Sequence, residues 1–323
     1  MVIKKPKIQN QSTKGDAITQ RLPLACVDEG AAADFMEHQR WGMSPACPLC
    51  GSFDVYKMMD SANPKKRQAN FRWRCKDCKG QYTVRKGTVL EDSAIPLRHW
   101  AYAFWRAATS KKGVSALEIH RQTGVSYKSS LFMLHRIRFA MADTADTQLG
   151  GGGQAVEVDE TYWGKKEDEP VGRGVKHKHA IFALVERNGG VRSFHVPNVT
   201  AKTLGPILEK HVAKSAELMT DDAAVYDRLA KPFARHGVVN HSQREYVRGD
   251  ITTNTVEGYF SILKRGLHGI YHNVSEHHLH RYLSEFDFRY TNRELSDGQR
   301  TALAIKQADG KRLMYRCPDG QGA

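Results

Sequence analysis

The chain has no apolar run long enough for a membrane. No stretch of its 323 residues approaches the ~18 consecutive apolar side chains that a spanning helix needs, and the nearest candidate, WAYAFWRAA at 100–108, is broken by Arg106. The opening MVIKKPKIQNQSTKGDAITQR has no apolar core, which argues against a secretory signal. It reads instead as a basic, mostly disordered arm over 1–33. Acid is in short supply: 35 Asp and Glu face 49 Lys and Arg, for a net charge of +14 and a pI of about 9.5. Such a field favours a polyanion, and without a membrane span the expected polyanion is nucleic acid. Cysteine is scarce as well. Of six, four fall in two Cys-x-x-Cys pairs, and Cys26 and Cys317 are left as free thiols. With no export signal, this pattern argues against a disulfide framework and for metal binding.

Cys47-Pro-Leu-Cys50 and Cys75-Lys-Asp-Cys78 are separated by 24 residues. Two residues between thiols let both sulfurs of a tight knuckle face one ion. Two knuckles complete a closed tetrahedral site that suits one structural Zn²⁺ and leaves no open position for catalysis. Phe53, Val55, Tyr56, Phe71 and Trp73 supply strands, so 34–90 reads as a zinc ribbon. From Lys57 to Lys86 ten Lys or Arg stand against two Asp, interleaved with Phe71, Trp73 and Tyr82, which favours DNA backbone contact and leaves protein docking open.

Residues 114–141, VSALEIHRQTGVSYKSSLFMLHRIRFAM, read as a helix-turn-helix within a helical DNA-binding domain at 91–145. Ser115 and Glu118 make a capping box, Gly124 suits the corner, and Ser126 caps the second helix. Leu131, Leu134, Ile137 and Met141 give that helix one apolar face. In this reading Tyr127, Lys128 and Ser130 lie near the groove, and Arg136 and Arg138 contact phosphates. A plain helical hairpin is the alternative. The stretch 146–154, with four glycines at 150–153, reads as a flexible linker and domain boundary.

Beyond it the pattern turns to strands. Val156 and Val158 alternate with Glu157 and Asp159; HAIFALVE and VRSFHVPN form a hairpin about Asn188; a helix capped by Thr200 follows. AELMTDD is a short strand ending at Asp221, followed by a short helix, a weak strand, a helix from about Thr253 to Leu267 and another from about Ser275 to Tyr290. Three strands, a helix, a strand and then helices is the order of an RNase H-like α/β fold, a mixed sheet flanked by helices, here over 155–293 with a tail at 294–323. Asp159, Asp221 and Glu257 fall on the first strand, the end of the fourth strand and the following helix. Acids gathered in a basic chain suit divalent cations beside a polyanion. Glu160 should point with the valines. Asp222 competes with Asp221, and Asn254 competes with Glu257, although a carboxylate binds a hard cation more strongly than an amide does. Lys264 and Arg265 read either as a solvated face or as a phosphate clamp. His272, His277, His278 and His280, like His177 and His179, read as solvated or DNA-facing, with a His-based metal site as the alternative.

These segments together resemble the DDE-type insertion-sequence transposases with an amino-terminal zinc ribbon, the ISXO2-like group related to Merlin elements. CPLC, CKDC, GTVLEDSAIPLRHW, GVSYKSSLFMLHRIR, VDETYWGKK, LMTDDAAVY and NTVEGYFSILKRGLHGIYHNVSEHHLHRYLSEFDFRYTNR carry the resemblance over about 34–293. It implies DNA transposition with two Mg²⁺ or Mn²⁺ ions on Asp159, Asp221 and Glu257. The family's third position takes Asn or Glu with a basic residue after it, so Asn254, Glu257 and Lys264 all enter. The ribbon and helix-turn-helix would bind terminal inverted repeats before joining to target DNA, as a homodimer or larger assembly. A cytoplasmic, nucleoid-associated bacterial protein is expected. A non-catalytic DNA-binding regulator and an RNase H-like nuclease that cuts without joining are the competing readings.

Overall fold

The computed structural model describes residues 16–314 apart from 168, 169, 244 and the side chain of His241. The described residues fall into two compact units: 16–109 with 293–314, and 110–292.

The first unit opens with two helices where a disordered arm was expected. Asp16 caps α1 (Ala17–Val27) by accepting the N–H groups of Ile18 and Thr19, and Asp28 caps α2 (Glu29–Trp41) by accepting that of Ala31. Leu22, Ala25, Ala32, Ala33, Phe35 and Met36 are buried, so 16–33 carries an apolar face that its polar neighbours obscure. Residues 1–15 of that arm, and Cys317, lie outside the described residues. Then come β1 (Val55–Lys57), β2 (Trp73–Cys75) and β3 (Gln81–Tyr82), antiparallel in that order. Trp41 meets the rings of Trp73 and Tyr82 edge-on at 5.6 and 6.0 Å and roofs this small sheet. The carboxylate of Glu29 accepts the N–H groups of Leu97 and Arg98 at 2.6 and 3.0 Å, which satisfies two orphan donors at the start of α3 (Leu97–Thr109).

The second unit begins with α4 (Ala116–Thr123) and α5 (Tyr127–Met141), joined through Gly124 in the left-handed region at φ 73°. Two helices about a tight turn fit a helix-turn-helix and a plain hairpin alike, and the division between units falls between α3 and α4, not at the glycines. Those glycines are no free linker either. Leu149 pairs with Val212, and the Gly150 N–H donates to Glu186 at 2.9 Å.

The strands β4 (Ala155–Trp163), β5 (His179–Glu186) and β6 (Val191–Val196) run antiparallel. After α6 (Ala201–His211) come β7 (Glu217–Thr220), α7 (Val225–Leu229) and β8 (Arg235–Val238). The short β9 (Val247–Arg248) and β10 (Ile251–Thr252) lead to α8 (Asn254–Gly266) and α9 (Glu276–Thr291). The sheet order is β6-β5-β4-β7-β8, with β7 parallel to both neighbours. This mixed five-stranded sheet is the RNase H-like arrangement expected. Val156, Val158, Phe182 and Leu184 pack on one face with α6 and α7, while Ile181, Ala183 and Val185 pack on the other with α8 and α9. Covering both faces explains the unbroken apolar run of β5.

The chain then re-enters the first unit as α10 (Asp297–Lys306), which a Ser296–Gln299 capping box begins. The Ser296 hydroxyl also bonds the Asp16 carboxylate. Residues 294–314, expected as a tail, thus belong to the folded first unit.

Candidate active site

The β4 residues alternate faces. Val158 and Glu160 turn toward α7, where Glu160 accepts the Tyr226 hydroxyl at 2.6 Å. Asp159 therefore faces the α8 side. In the parallel pairing Val156 meets Leu218 and Glu157 meets Met219; carried on by two residues, this register brings Asp159 level with Asp221, just past the end of β7. Burial raises the Asp159 carboxyl to about 7, against the backbone N–H of Glu160, and the carboxylates of Glu160, Asp221 and Glu257 push it up further. So Asp221 at the end of β7 and Glu257 on α8 both lie within electrostatic reach of Asp159.

Their neighbours separate the alternatives. Asp221 folds over its own turn, accepting the Ala223 N–H at 3.1 Å, while Asp222 is exposed and accepts the Ser242 hydroxyl at 2.8 Å. Glu257 is exposed on α8 and accepts the Thr253 hydroxyl at 3.2 Å. Asn254 is exposed at the first residue of the same helix. Lys264 is exposed two turns further on; Arg265 is exposed but folds back onto Ser261 at 2.7 Å. Val256, Tyr259, Phe260 and Leu263 bury the opposite face of α8 and fix its roll. Hard oxygen donors gathered around a carboxyl that resists ionisation fit a divalent cation of the Mg²⁺ class.

One functional residue escaped the sequence reading. Glu157 is fully buried two positions before Asp159, on the same face. Its carboxylate accepts the backbone N–H groups of Thr255 and Val256 at 2.6 and 3.0 Å, and the Thr255 hydroxyl at 2.8 Å. It therefore caps α8 from the sheet. Arg187 donates to it at 2.7 Å and ties down the carbonyls of Asp250 and Thr252 at 2.6 and 2.9 Å. A glutamate at an inward strand position was the available signal, since buried charge is kept only with partners.

In the first unit, Cys47 and Cys78 sulfurs stand 3.7 Å apart and those of Cys50 and Cys75 3.6 Å. Tetrahedral thiolates at a Zn–S distance of about 2.3 Å have edges of about 3.7–3.8 Å, so the four sulfurs fit one zinc. Burial opposes ionisation of Cys75, yet N–H groups of Cys78 and Asp77 bring its thiol down to about 7. Part of the basic run serves the fold: Arg67 donates to Glu37 and Phe71, and Lys57 pairs with Asp34 at 2.9 Å. Arg74, Lys76, Lys79 and Tyr56 line an open cleft of about 560 Å³ beside Cys75.

The helix-turn-helix residues divide. Tyr127 and Lys128 are exposed at the start of α5. Ser130 is buried, its hydroxyl donating to the Val125 carbonyl at 3.3 Å. Arg136 lies 4.7 Å over the Phe132 ring and is buried. Arg138 is 1% exposed, bonds Glu285 at 2.7 Å and stacks 3.9 Å over Tyr282. As placed, Ser130, Arg136 and Arg138 are buried: Ser130 against the turn before α5, Arg136 over a ring of its own helix, and Arg138 under α9.

Comparison with known proteins brings two family models: an ISXO2-like transposase domain over 148–291 and a transposase zinc-ribbon domain over 27–81. A protein encoded in the transposable element ISH50 of Halobacterium salinarum is 31% identical over 294 residues, covering 81% of this chain and 91% of that protein. A transposase-like protein of Haemophilus influenzae is 29% identical over 100 residues, 31% of this chain and 80% of its own length.

Proposed function

This chain belongs to the ISXO2-like transposases, and from that membership we propose that Asp159, Asp221 and Glu257 form a catalytic centre that cleaves DNA at transposon ends and joins the freed 3′-hydroxyl to target DNA. The observation that carries this reading is the elevated Asp159 carboxyl, raised by burial and by Glu160, Asp221 and Glu257. Bound Mg²⁺ or Mn²⁺ would supply Lewis acidity at the phosphoryl oxygens and neutralise charge on attacking and leaving oxygens. Asp159 would yield its proton to ligate, together with Asp221 and Glu257. Glu257 is preferred to Asn254 as third ligand because a carboxylate binds a hard cation more strongly than an amide does.

Two chemical steps follow. Water attacks the phosphodiester at the transposon end, and the bridging oxygen leaves as a 3′-hydroxyl. That hydroxyl then attacks a target phosphodiester in line, and a target 3′-oxygen departs. Lys264, exposed on α8, is suited to hold a backbone phosphate beside the acids, with Arg265 next to it. Tyr127 and Lys128, with the basic cleft beside Cys75, are suited to engage the terminal inverted repeats. Two ends must be paired, so a dimer or larger assembly on DNA is proposed. No described helix is long and apolar enough to cross a membrane.

The test is a strand-transfer assay with a pre-cut end, a plasmid target and Mg²⁺. Joined product from wild type, and none from Asp159→Ala with DNA binding retained, supports the proposal. Hydrolysis without joining favours a nuclease, and equal activity of the variant defeats it.

A further inference from the structure

A second cluster of metal-ligand type lies further along the same face of the sheet. His179 opens β5; His195 on β6 stands opposite Ile181, which makes it the diagonal neighbour of His179 on the same face; and Glu276 is in the first turn of α9. One nitrogen from each imidazole and one oxygen of the carboxylate gather within 4.8 Å of one another. Among the described residues, the other group that does so is the four-cysteine set.

The inward atoms lack ordinary partners. His179 is 4% exposed, and its Nδ1 is buried without a hydrogen bond; so is Nε2 of His195. These are the two atoms turned to Glu276, His179 Nδ1 at 3.9 Å and His195 Nε2 at 3.7 Å, each beyond hydrogen-bonding range. Tetrahedral donors at about 2.0–2.1 Å from an ion stand about 3.3–3.4 Å apart, so small side-chain adjustments would seat one. Burial, with His179 and Lys166 nearby, holds His195 below the usual histidine value, which favours the neutral, ligating form. The rings meet edge to face with centroids 5.3 Å apart.

We infer that His179, His195 and Glu276 form a second zinc site, separate from both the cysteine knuckles and the catalytic carboxylates. Two imidazoles and one carboxylate form a donor set suited to Zn²⁺ and poorly matched to Mg²⁺, which favours oxygen. His179 pairs with Trp163, four residues beyond Asp159 on β4, so the site sits roughly 13 Å along the strand from the acids. The fourth position falls to water or to His280, one turn after Glu276. The ion staples the start of α9 to the two strands at this edge of the sheet. The inference does not depend on transposition chemistry.

The experiment is zinc stoichiometry of the full-length chain, equilibrated with Zn²⁺ and freed of excess. Two zinc ions per chain are expected for wild type, and one for His195→Ala and for Glu276→Gln. Because Glu276 is exposed, its glutamine variant keeps the fold while losing the carboxylate charge. Cobalt substitution identifies which ion is lost: both variants should retain thiolate-to-cobalt absorption from the cysteine site, whereas Cys78→Ser should lose it and keep one ion. A wild-type count of one, or a count of two in both His195→Ala and Glu276→Gln, would overturn the assignment and leave the three residues a loose ion pair.

Discussion

The carboxylate of Glu157 accepts the backbone N–H of Val256 at 3.0 Å, so a strand residue caps the helix that carries Glu257. The cap is charged, buried and shared with Thr255 and Arg187. It holds the start of α8 at a fixed height over β4, which sets where Glu257 stands relative to Asp159.

Glu157→Gln should therefore act on both stability and catalysis. It keeps the volume but removes the charge from several hydrogen bonds, each worth about 1.5–3 kcal/mol. A loss of about 2–4 kcal/mol in denaturant unfolding is expected, with Mg²⁺-dependent cleavage falling more than DNA affinity. Wild-type stability in this variant would show that the cap contributes little.

Arg138 should behave as a core residue. Arg138→Ala removes one of the two arginines on buried Glu285, which Arg289 and the Tyr271 hydroxyl still hold, and is expected to cost about 1.5–3 kcal/mol. Lys128→Ala should leave stability near wild type, weaken DNA binding and lower the slope of log affinity against log salt by about one. Melting curves and salt titrations of the two variants, side by side, separate the roles.

The Asp159 carboxyl predicts a pH dependence. It rises in the fold from 3.8 to about 7. A raised folded-state value means that the folded protein binds this proton more tightly than the unfolded chain does. The stabilisation is complete below about pH 4 and is lost as pH climbs through 7. In zinc-loaded protein without Mg²⁺, this group should remove about 1–3 kcal/mol between those limits, allowing for solvent screening. Asp159→Asn should flatten that part of the curve, and Mg²⁺ affinity of wild type should tighten with rising pH. Identical pH profiles for the two proteins would take Asp159 out of the acidic cluster.

Removing zinc should unfold residues 47–78, since the ribbon's own core is little more than Cys47, Cys75, Trp73 and Tyr82. Tryptophan fluorescence should report exposure of Trp73, and DNA affinity should fall. Unchanged affinity in moderate salt would reassign the ribbon to another role.

Much of this was legible because short-range rules are strong. Cys-x-x-Cys spacing, the Ser115 and Ser126 caps, the left-handed Gly124 and the alternation about Val156 and Val158 each act within a few residues. The acids at 159, 221 and 257 could be named because local pattern places them mid-strand in β4, just past the end of β7 and in the first turn of α8. The misplacements have a common cause. Arg136 and Arg138 look like phosphate contacts on a helical wheel, but both are buried, Arg136 over Phe132 and Arg138 under α9. The 16–33 arm looks polar until its few apolar side chains find partners, and the glycine stretch looks like a linker until Gly150 bonds Glu186 and the preceding Leu149 pairs with Val212.

The sequence by itself determined the elements, the zinc knuckles and the order of the acids, because backbone propensity and ligand spacing are local properties. Tertiary structure alone decided that Glu157 anchors α8, that Arg138 belongs to Glu285, and that His179, His195 and Glu276 meet. Those pairings join residues far apart in the chain. Which buried charge finds which partner depends on packing, and packing is not written in any single stretch.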